Sequence, residues 1–303
     1  MGGISRRNFL KAASASAACA ALWKSAPWLM ADPLGLPLGL QLYSVRDILP
    51  KDYEGTLKQL SALGYREVEA ASFFSHTPDQ VKLAMVQAGL RCVSAHYSMV
   101  QLQPHVDEII QFGKDLGLDY IVCSSPGLKD PSGVKDPGSR AAREAMTLDD
   151  WRWNADQFNH IGERVHAAGM KFAYHNHTPE FRSQNGVMFY DELLRSTDPS
   201  KVAMELDCGW AIVAGQNPVD LLTRYPTRIS MLHVKDFKMT ATTNPSNAPP
   251  STELGRGTID YRPIFEAAKK AHIEHAFVEQ EQFDMAPMEA LKVDAHYMHA
   301  LKV

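Results

Sequence analysis

The chain has 303 residues, 45% of them apolar, enough to bury a large core in one domain or two. Its formal net charge is −4 and no long Lys/Arg cluster appears, which excludes a basic field suited to nucleic acid. Four cysteines without a framework of spacings exclude a disulfide scaffold.

The first segment differs in kind from the rest. Ser5-Arg6-Arg7-Asn8-Phe9-Leu10-Lys11 is a twin-arginine pattern, and an Ala/Ser-rich apolar run follows it to Leu22. This predicts a Tat-type signal over residues 1–31, cleaved near Ala31, and export to the periplasm. No acidic residue precedes Asp32, which argues against an amphipathic first helix of the domain. Ala17-Ala18-Cys19 carries Ser16 where a lipoprotein site prefers Leu, so lipidation is disfavoured. The run is short for a membrane span, and no membrane partner is expected once the signal is removed. Cys92, Cys123 and Cys208 lie inside apolar runs and read as buried free thiols.

From Leu38 onward two patterns alternate. Strand-like runs fall at 38–43, 66–70, 91–96, 119–124, 171–177, 201–207, 229–235 and 276–281. Helical segments fall at 54–63, 79–88, 104–116, 149–168, 188–195, 217–225, 261–271 and 286–300. Gly64, Gly89, Gly117 and Gly169 supply helix stops, and Pro78, Pro104 and Pro263 mark helix starts. Eight strand–helix units match a single (β/α)8 TIM barrel over 32–303, a fold that is typically ~250 residues long. A doubly wound open sheet is the runner-up, but no G-x-G-x-x-G follows the first strand. Two long connections, Ser125 to Thr147 and Lys238 to Thr258, both follow strands and therefore overhang the rim where barrels of this kind hold their active sites.

The strand ends carry the chemistry. In Lys171-Phe172-Ala173-Tyr174-His175-Asn176-His177, side chains two apart share a face, so His175 and His177 point one way and Tyr174 and Asn176 the other. Three later runs end in Asp207, His233 and Glu279. Four successive strands ending in His, Asp, His and Glu predict a metal site at one rim of the sheet.

The chain resembles the sugar phosphate isomerase/epimerase family of the xylose isomerase-like TIM-barrel superfamily. The resemblance is carried by Gly39-Leu40-Gln41-Leu42-Tyr43-Ser44-Val45-Arg46-Asp47, Gly64-Tyr65-Arg66-Glu67-Val68-Glu69, Tyr174-His175-Asn176-His177, Glu205-Leu206-Asp207-Cys208-Gly209-Trp210, His233-Val234-Lys235-Asp236 and Val278-Glu279-Gln280-Glu281. It implies one divalent metal held by Glu, Asp, His and Glu from the last four strands. Asp207, His233 and Glu279 match three of these positions; at the fourth the chain has His175 and His177 instead of Glu. A mixed imidazole and carboxylate set suits Mn²⁺, Zn²⁺, Co²⁺ or Fe²⁺ better than Mg²⁺.

The resemblance further implies a small carbohydrate substrate and proton abstraction beside a metal-polarised carbonyl, with Glu279 as base. The second proton is expected from Glu180, His177, His96 or Lys235. Lys235 shares a strand face with His233 and could hold an anionic oxygen. Glu69 and His96 end the second and third strands and could line the pocket, Trp210 could stack on a sugar ring, and Arg256 could reach a polar substrate from the second long loop. The expected activity is that of a sugar isomerase or epimerase. A lyase or hydratase acting on keto-sugars or 3-keto-glycosides by β-elimination is the alternative, because replacing one carboxylate by His weakens two-base epimerisation. A third reading is an exported carbohydrate-binding protein without activity. A homo-oligomer is compatible with the sequence.

Overall fold

The structure is a computed structural model, and it describes residues 32–303. The Tat leader expected over 1–31 lies outside the described residues. Eight parallel strands close a barrel in chain order: β1 (Gly39–Gln41), β2 (Glu67–Ala70), β3 (Arg91–Ser98), β4 (Tyr120–Ser125), β5 (Lys171–His175), β6 (Ala203–Asp207), β7 (Ile229–Val234) and β8 (His275–Val278). The seam pairs Gly39 with Phe277 and Leu40 with Val278. A side chain at Gly39 would meet the Ala276 carbonyl at 2.4 Å, so the seam closes only because that position is glycine.

The helices are α1 (Tyr53–Ala62), α2 (Pro78–Ala88), α3 (Met99–Leu116), α4 (Arg140–Ala145), α5 (Leu148–Ala167), α6 (Phe189–Ser196), α7 (Cys208–Val213), α8 (Pro218–Arg224), α9 (Tyr261–Ala268) and α10 (Pro287–Ala300). Local chemistry sets their ends. Thr77 and Gln80 form a capping box before α2 with Pro78 in its first turn, and Gly89 closes that helix in the left-handed conformation at φ 72°. Thr147 and Asp150 do the same for the start of α5.

Strand alternation divides the barrel into two faces. Leu40, Val68, Ile121, Phe172, Leu206 and Leu232 face outward into one continuous core shared with the helices, where each fully buried large side chain contributes roughly 1.5–3 kcal/mol. Val93, Tyr120, Val122, Ala173, Met231 and Phe277 face inward and form a separate apolar plug. At the strand starts, His275 Nδ1 lies 2.7 Å from Glu67 Oε2 and its Nε2 lies 3.6 Å from Asp119 Oδ2, while Arg91 pairs with Asp119 at 2.6 Å. Burial lowers His275, but Asp119 and Glu67 outweigh it and push it up to about 9.

Several boundaries differ from the expected ones for physical reasons. The third helix starts at Met99 instead of 104, because Ser98 and Gln101 make a capping box there; Pro104 is accommodated inside, at a kink where His105 leaves helical geometry (φ −127°, ψ 20°). The fifth strand ends at His175 and the last at Val278. Both long loops are structured: the first contains α4, and in the second Ser251–Thr252 pairs antiparallel with Asp236–Phe237. The Asp236 carboxylate gathers that second loop, accepting the N–H groups of Gly255 (3.0 Å), Gly257 (3.1 Å) and Ile259 (3.1 Å). A side chain on Gly257 would sit 2.1 Å from Asp236 Oδ1. Arg140 Nη2 donates to the Pro245 carbonyl and so ties the two loops together. Cys92, Cys123 and Cys208 are buried and unpaired, as read from the sequence. Among the described residues no helix is long and apolar enough to cross a membrane.

Candidate active site

Above the apolar plug the inward positions turn polar. Glu69 is fully buried and accepts from Gln41 Nε2 at 2.7 Å and Ser94 Oγ at 2.6 Å. Its Oε1 also lies 2.7 Å from His96 Nε2 and 2.8 Å from His233 Nε2. Glu205 Oε2 faces three rings: His96 Nε2 at 2.8 Å, His175 Nδ1 at 3.0 Å and His233 Nε2 at 3.3 Å. Burial would raise both carboxyls, but the His96 and His233 imidazoles hold Glu69 far below the carboxylate range and Glu205 at about 2. Burial would lower His96, yet Glu69 and Glu205 push it up to about 9 and hold His233 well above its ordinary value. His175, desolvated and beside His233, is pushed well down and stays neutral.

Nearer the rim, the other nitrogen of His233, Nδ1, lies 3.1 Å from Glu279 Oε2 and 4.0 Å from Asp207 Oδ2. Lys235, almost completely buried, places its ammonium 2.5 Å from Glu281, 2.8 Å from Glu279 and 3.3 Å from Asp207, and 4.9 Å from the centre of the Trp210 ring. Asp207 Oδ1 caps α7 through Trp210 N at 2.7 Å, and Asn176 brackets the Asp207 backbone at 3.1 and 3.3 Å. Asp207 Oδ2 is buried and accepts no hydrogen bond. Burial raises the Asp207 carboxyl, outweighing Lys235 and His233.

Above these side chains lies a cavity of about 620 Å³. His96, His175, His177, Trp210 and Glu279 line it from below, and Arg143 and Ala248-Pro249-Pro250 of the overhanging loops line it from above. The His177 ring stands 4.9 Å from that of His175, and its Nδ1 is buried with no partner. Burial, then the Arg143 and Lys235 cations, push His177 down to about 3, so its imidazole is neutral.

Two sets of donor atoms converge tightly enough to hold an ion: His96, His175, Glu205 and His233, and Asp207, His233 and Glu279. The xylose isomerase-like TIM barrel model matches residues 57–301. The chain belongs to this family. A twin-arginine translocation signal matches residues 3–23, so the leader is a Tat signal and marks the chain for Tat export. Within the family's reach, an inosose dehydratase from Lacticaseibacillus casei is 24% identical over 251 residues, covering 77% of this chain and 83% of the relative. An inosose dehydratase from Clostridium beijerinckii is 26% identical over 251 residues, covering 76% and 82%. A solved sugar phosphate isomerase/epimerase from Parabacteroides distasonis superposes with a TM-score of 0.70 at 25% identity, covering 87% of this chain and 93% of that one. The chain is thus similar both to enzymes that remove water and to one named for isomerisation.

Against this family background the residues singled out in the sequence fall into three groups. His96, His175, His177, Trp210 and Glu279 line the cavity. Glu69, Asp207, His233 and Lys235 lie buried beneath it. Lys235 does not line the cavity and already faces three carboxylates, which corrects the expectation that it would hold a substrate oxygen. Glu180 and Arg256 stand apart. Glu180 is 1% exposed, takes the hydroxyl of Tyr174, which faces the outer core, and does not line the cavity. Arg256 is exposed and pairs with Glu253 at 3.5 Å, while its flanking glycines wrap Asp236; it does not reach the cavity. Sequence reasoning passed over Glu205, although its spacing from Asp207 is the one that links His175 to His177. It also passed over Arg143, whose place depends on how its loop folds back.

Proposed function

We propose that this member of the family is a divalent-metal-dependent lyase that removes water or an alcohol from a keto-sugar or keto-glycoside by β-elimination. The observation that carries the reading is the asymmetry of the cavity. On the β5 side the lining offers imidazoles, His175 and His177; carboxylates, Glu279 and Glu281, come only from the β8 side. Two-base epimerisation calls for a matched pair of bases on opposite faces of the substrate. Elimination needs one group that takes a proton from carbon and a route for that proton to the departing oxygen. The similarity to inosose dehydratases favours the same reading over the isomerase first expected.

The donor set suits a divalent ion. Asp207 Oδ2 is buried without a hydrogen bond, and His233 Nδ1 and Glu279 Oε2 lie beside it. Because His175 spends Nδ1 on Glu205, its Nε2 is the nitrogen left for an ion, and the carboxylate behind it fixes that tautomer. We assign the converging set Asp207, His233 and Glu279 as ligands, with His175, which belongs to the adjoining set around Glu205, as the fourth. When bound, the ion supplies Lewis acidity toward the substrate carbonyl.

The remaining steps belong to the chain. Glu279 is engaged by His233 and Lys235, whereas His177 lines the cavity and its Nδ1 makes no hydrogen bond. His177 takes the proton from the carbon beside the carbonyl. The electrons of that C–H bond form the new C=C bond as the β C–O bond breaks, and His177 returns its proton to the departing oxygen. Trp210, held by Lys235 and 5.1 Å from Phe237, offers an apolar face for the sugar ring.

The test incubates metal-loaded protein in deuterated water with keto-inositols, free ketoses and 3-keto-glycosides, followed by NMR. Loss of water or release of an aglycone is expected. A rearranged sugar with nothing released would instead establish the isomerase, and undiminished sugar binding without any turnover or metal would establish a binding protein.

A further inference from the structure

We propose that Arg143 forms an oxyanion seat in the roof of the cavity, so that the substrate is a sugar acid carrying a carboxylate. The inference deepens the keto-sugar reading above and rests on it for the identity of the site. Arg143 sits on α4 within the first overhanging loop, half-buried, and lines the cavity. Its Nη1 donates to Ser125 Oγ at 3.0 Å and to the Gly138 carbonyl at 2.8 Å. Nε is buried without a partner. No carboxylate within the described residues pairs with it, whereas neighbouring Arg140 pairs with Glu144 at 2.6 Å and Arg152 with Glu192 at 2.6 Å.

The charges of the floor do not call on Arg143. Glu69, Glu205, Asp207, Glu279 and Glu281 face His96, His233 and Lys235. The guanidinium above takes no part in these pairs; a further carboxyl that its charge reaches, Glu180, is buried against the Tyr174 hydroxyl and makes no ion pair with it. A half-buried cation with no ion-pair partner is a cost that a neutral hydroxyl in the cavity relieves only in part, while a carboxylate matches it in charge.

The seat is also held in place. Ser125 ends β4, Ser139 caps α4 through Ala142 N at 3.2 Å, and Arg140 fastens the loop to the Pro245 carbonyl of the facing loop. A cavity of about 620 Å³ accommodates a monosaccharide between this roof and the floor. The carbonyl end of the substrate then meets the floor and the carboxylate end meets Arg143.

Calorimetry on the metal-loaded mature chain, with glucuronate, glucose and glucose 6-phosphate as probes, tests the seat without needing turnover. Glucuronate is expected to bind at least about tenfold tighter than glucose, as a charge-assisted contact provides. Arg143→Gln should abolish that preference and Arg143→Lys should restore part of it. No preference in the unsubstituted protein overturns the proposal. So does a preference that survives Arg143→Gln, which would put the carboxylate on the metal, and so does tighter binding of glucose 6-phosphate, which would make the ligand a phosphate. Failure of the elimination assay with the Arg143-dependent preference intact would sink the lyase reading and leave the seat standing.

Discussion

The Nδ1 atom of His175 stands 3.0 Å from Glu205 Oε2, so a fully buried carboxylate decides which ring nitrogen His175 can offer. If His175 is a ligand, Glu205→Gln should lower metal affinity roughly 10–100-fold while leaving the fold intact. Competition with a chelating indicator measures this. Unchanged affinity would remove Glu205 from that supporting role.

The two histidines of β5 and its exit should separate cleanly by substitution. His175→Gln, like His233→Ala and Glu279→Gln, should empty the protein of metal on elemental analysis. His177→Gln should keep its metal and lose about 10²–10⁴ in turnover, the usual worth of a positioned proton carrier. Equal metal loss in His175→Gln and His177→Gln would show that the division of labour is wrong.

The ion cluster at the strand starts makes stability depend on pH. His275 is pushed up to about 9 by Asp119 and Glu67, against an unfolded value of ~6.5. Folding therefore favours the protonated ring, and its contribution is complete below ~pH 6.5 and lost as pH rises through about 9. Relative to His275→Gln, the unsubstituted protein should be more stable by roughly 1–3 kcal/mol at pH 6 and should lose most of that margin by pH 9.5. Urea unfolding across this range measures it; a margin that does not change with pH would mean that the ring is neutral in the fold.

Arg6 and Arg7 should be needed for export. A chain carrying Arg6→Lys and Arg7→Lys should accumulate inside the cell, and fractionation reads the outcome. With the pair intact, we propose cleavage near Ala31 and release of 32–303 to the periplasm, which N-terminal sequencing of the exported protein checks. Equal export of both chains would contradict a Tat route.

The barrel and most of its floor were legible in the sequence because both rest on short-range rules. Period-two alternation brings Asp207, His233 and Glu279 to the inner rim, and the same rule reaches Glu205, two residues before Asp207. Glu180 was grouped with the rim only for its place just after a strand; counted five residues on from His175 it belongs to the Tyr174 face, and the 3₁₀ turn after Pro179 holds it there against the Tyr174 hydroxyl. Lys235 was correctly placed on the face of His233, but its partners Glu279 and Glu281 come from the neighbouring strand's exit, which one segment's pattern does not show. Pro104 reads as a helix start until the Ser98–Gln101 box is paired. Arg143 sits in a loop whose course is set by tertiary contacts, and nothing in its local sequence distinguishes it from Arg140.

The last of the barrel strands, β8, pairs with both β7 and β1, and the proposed ligand Glu279 follows it directly. Asp207 and His233 are fully shielded from solvent once that closure is made. Tat export carries proteins already folded, so an ion held by these residues would be captured during biogenesis in the cytoplasm and travel as cargo inside the barrel. Which element the exported protein contains would then reflect the metal supply of the compartment where the chain matured, not that of the compartment where it works.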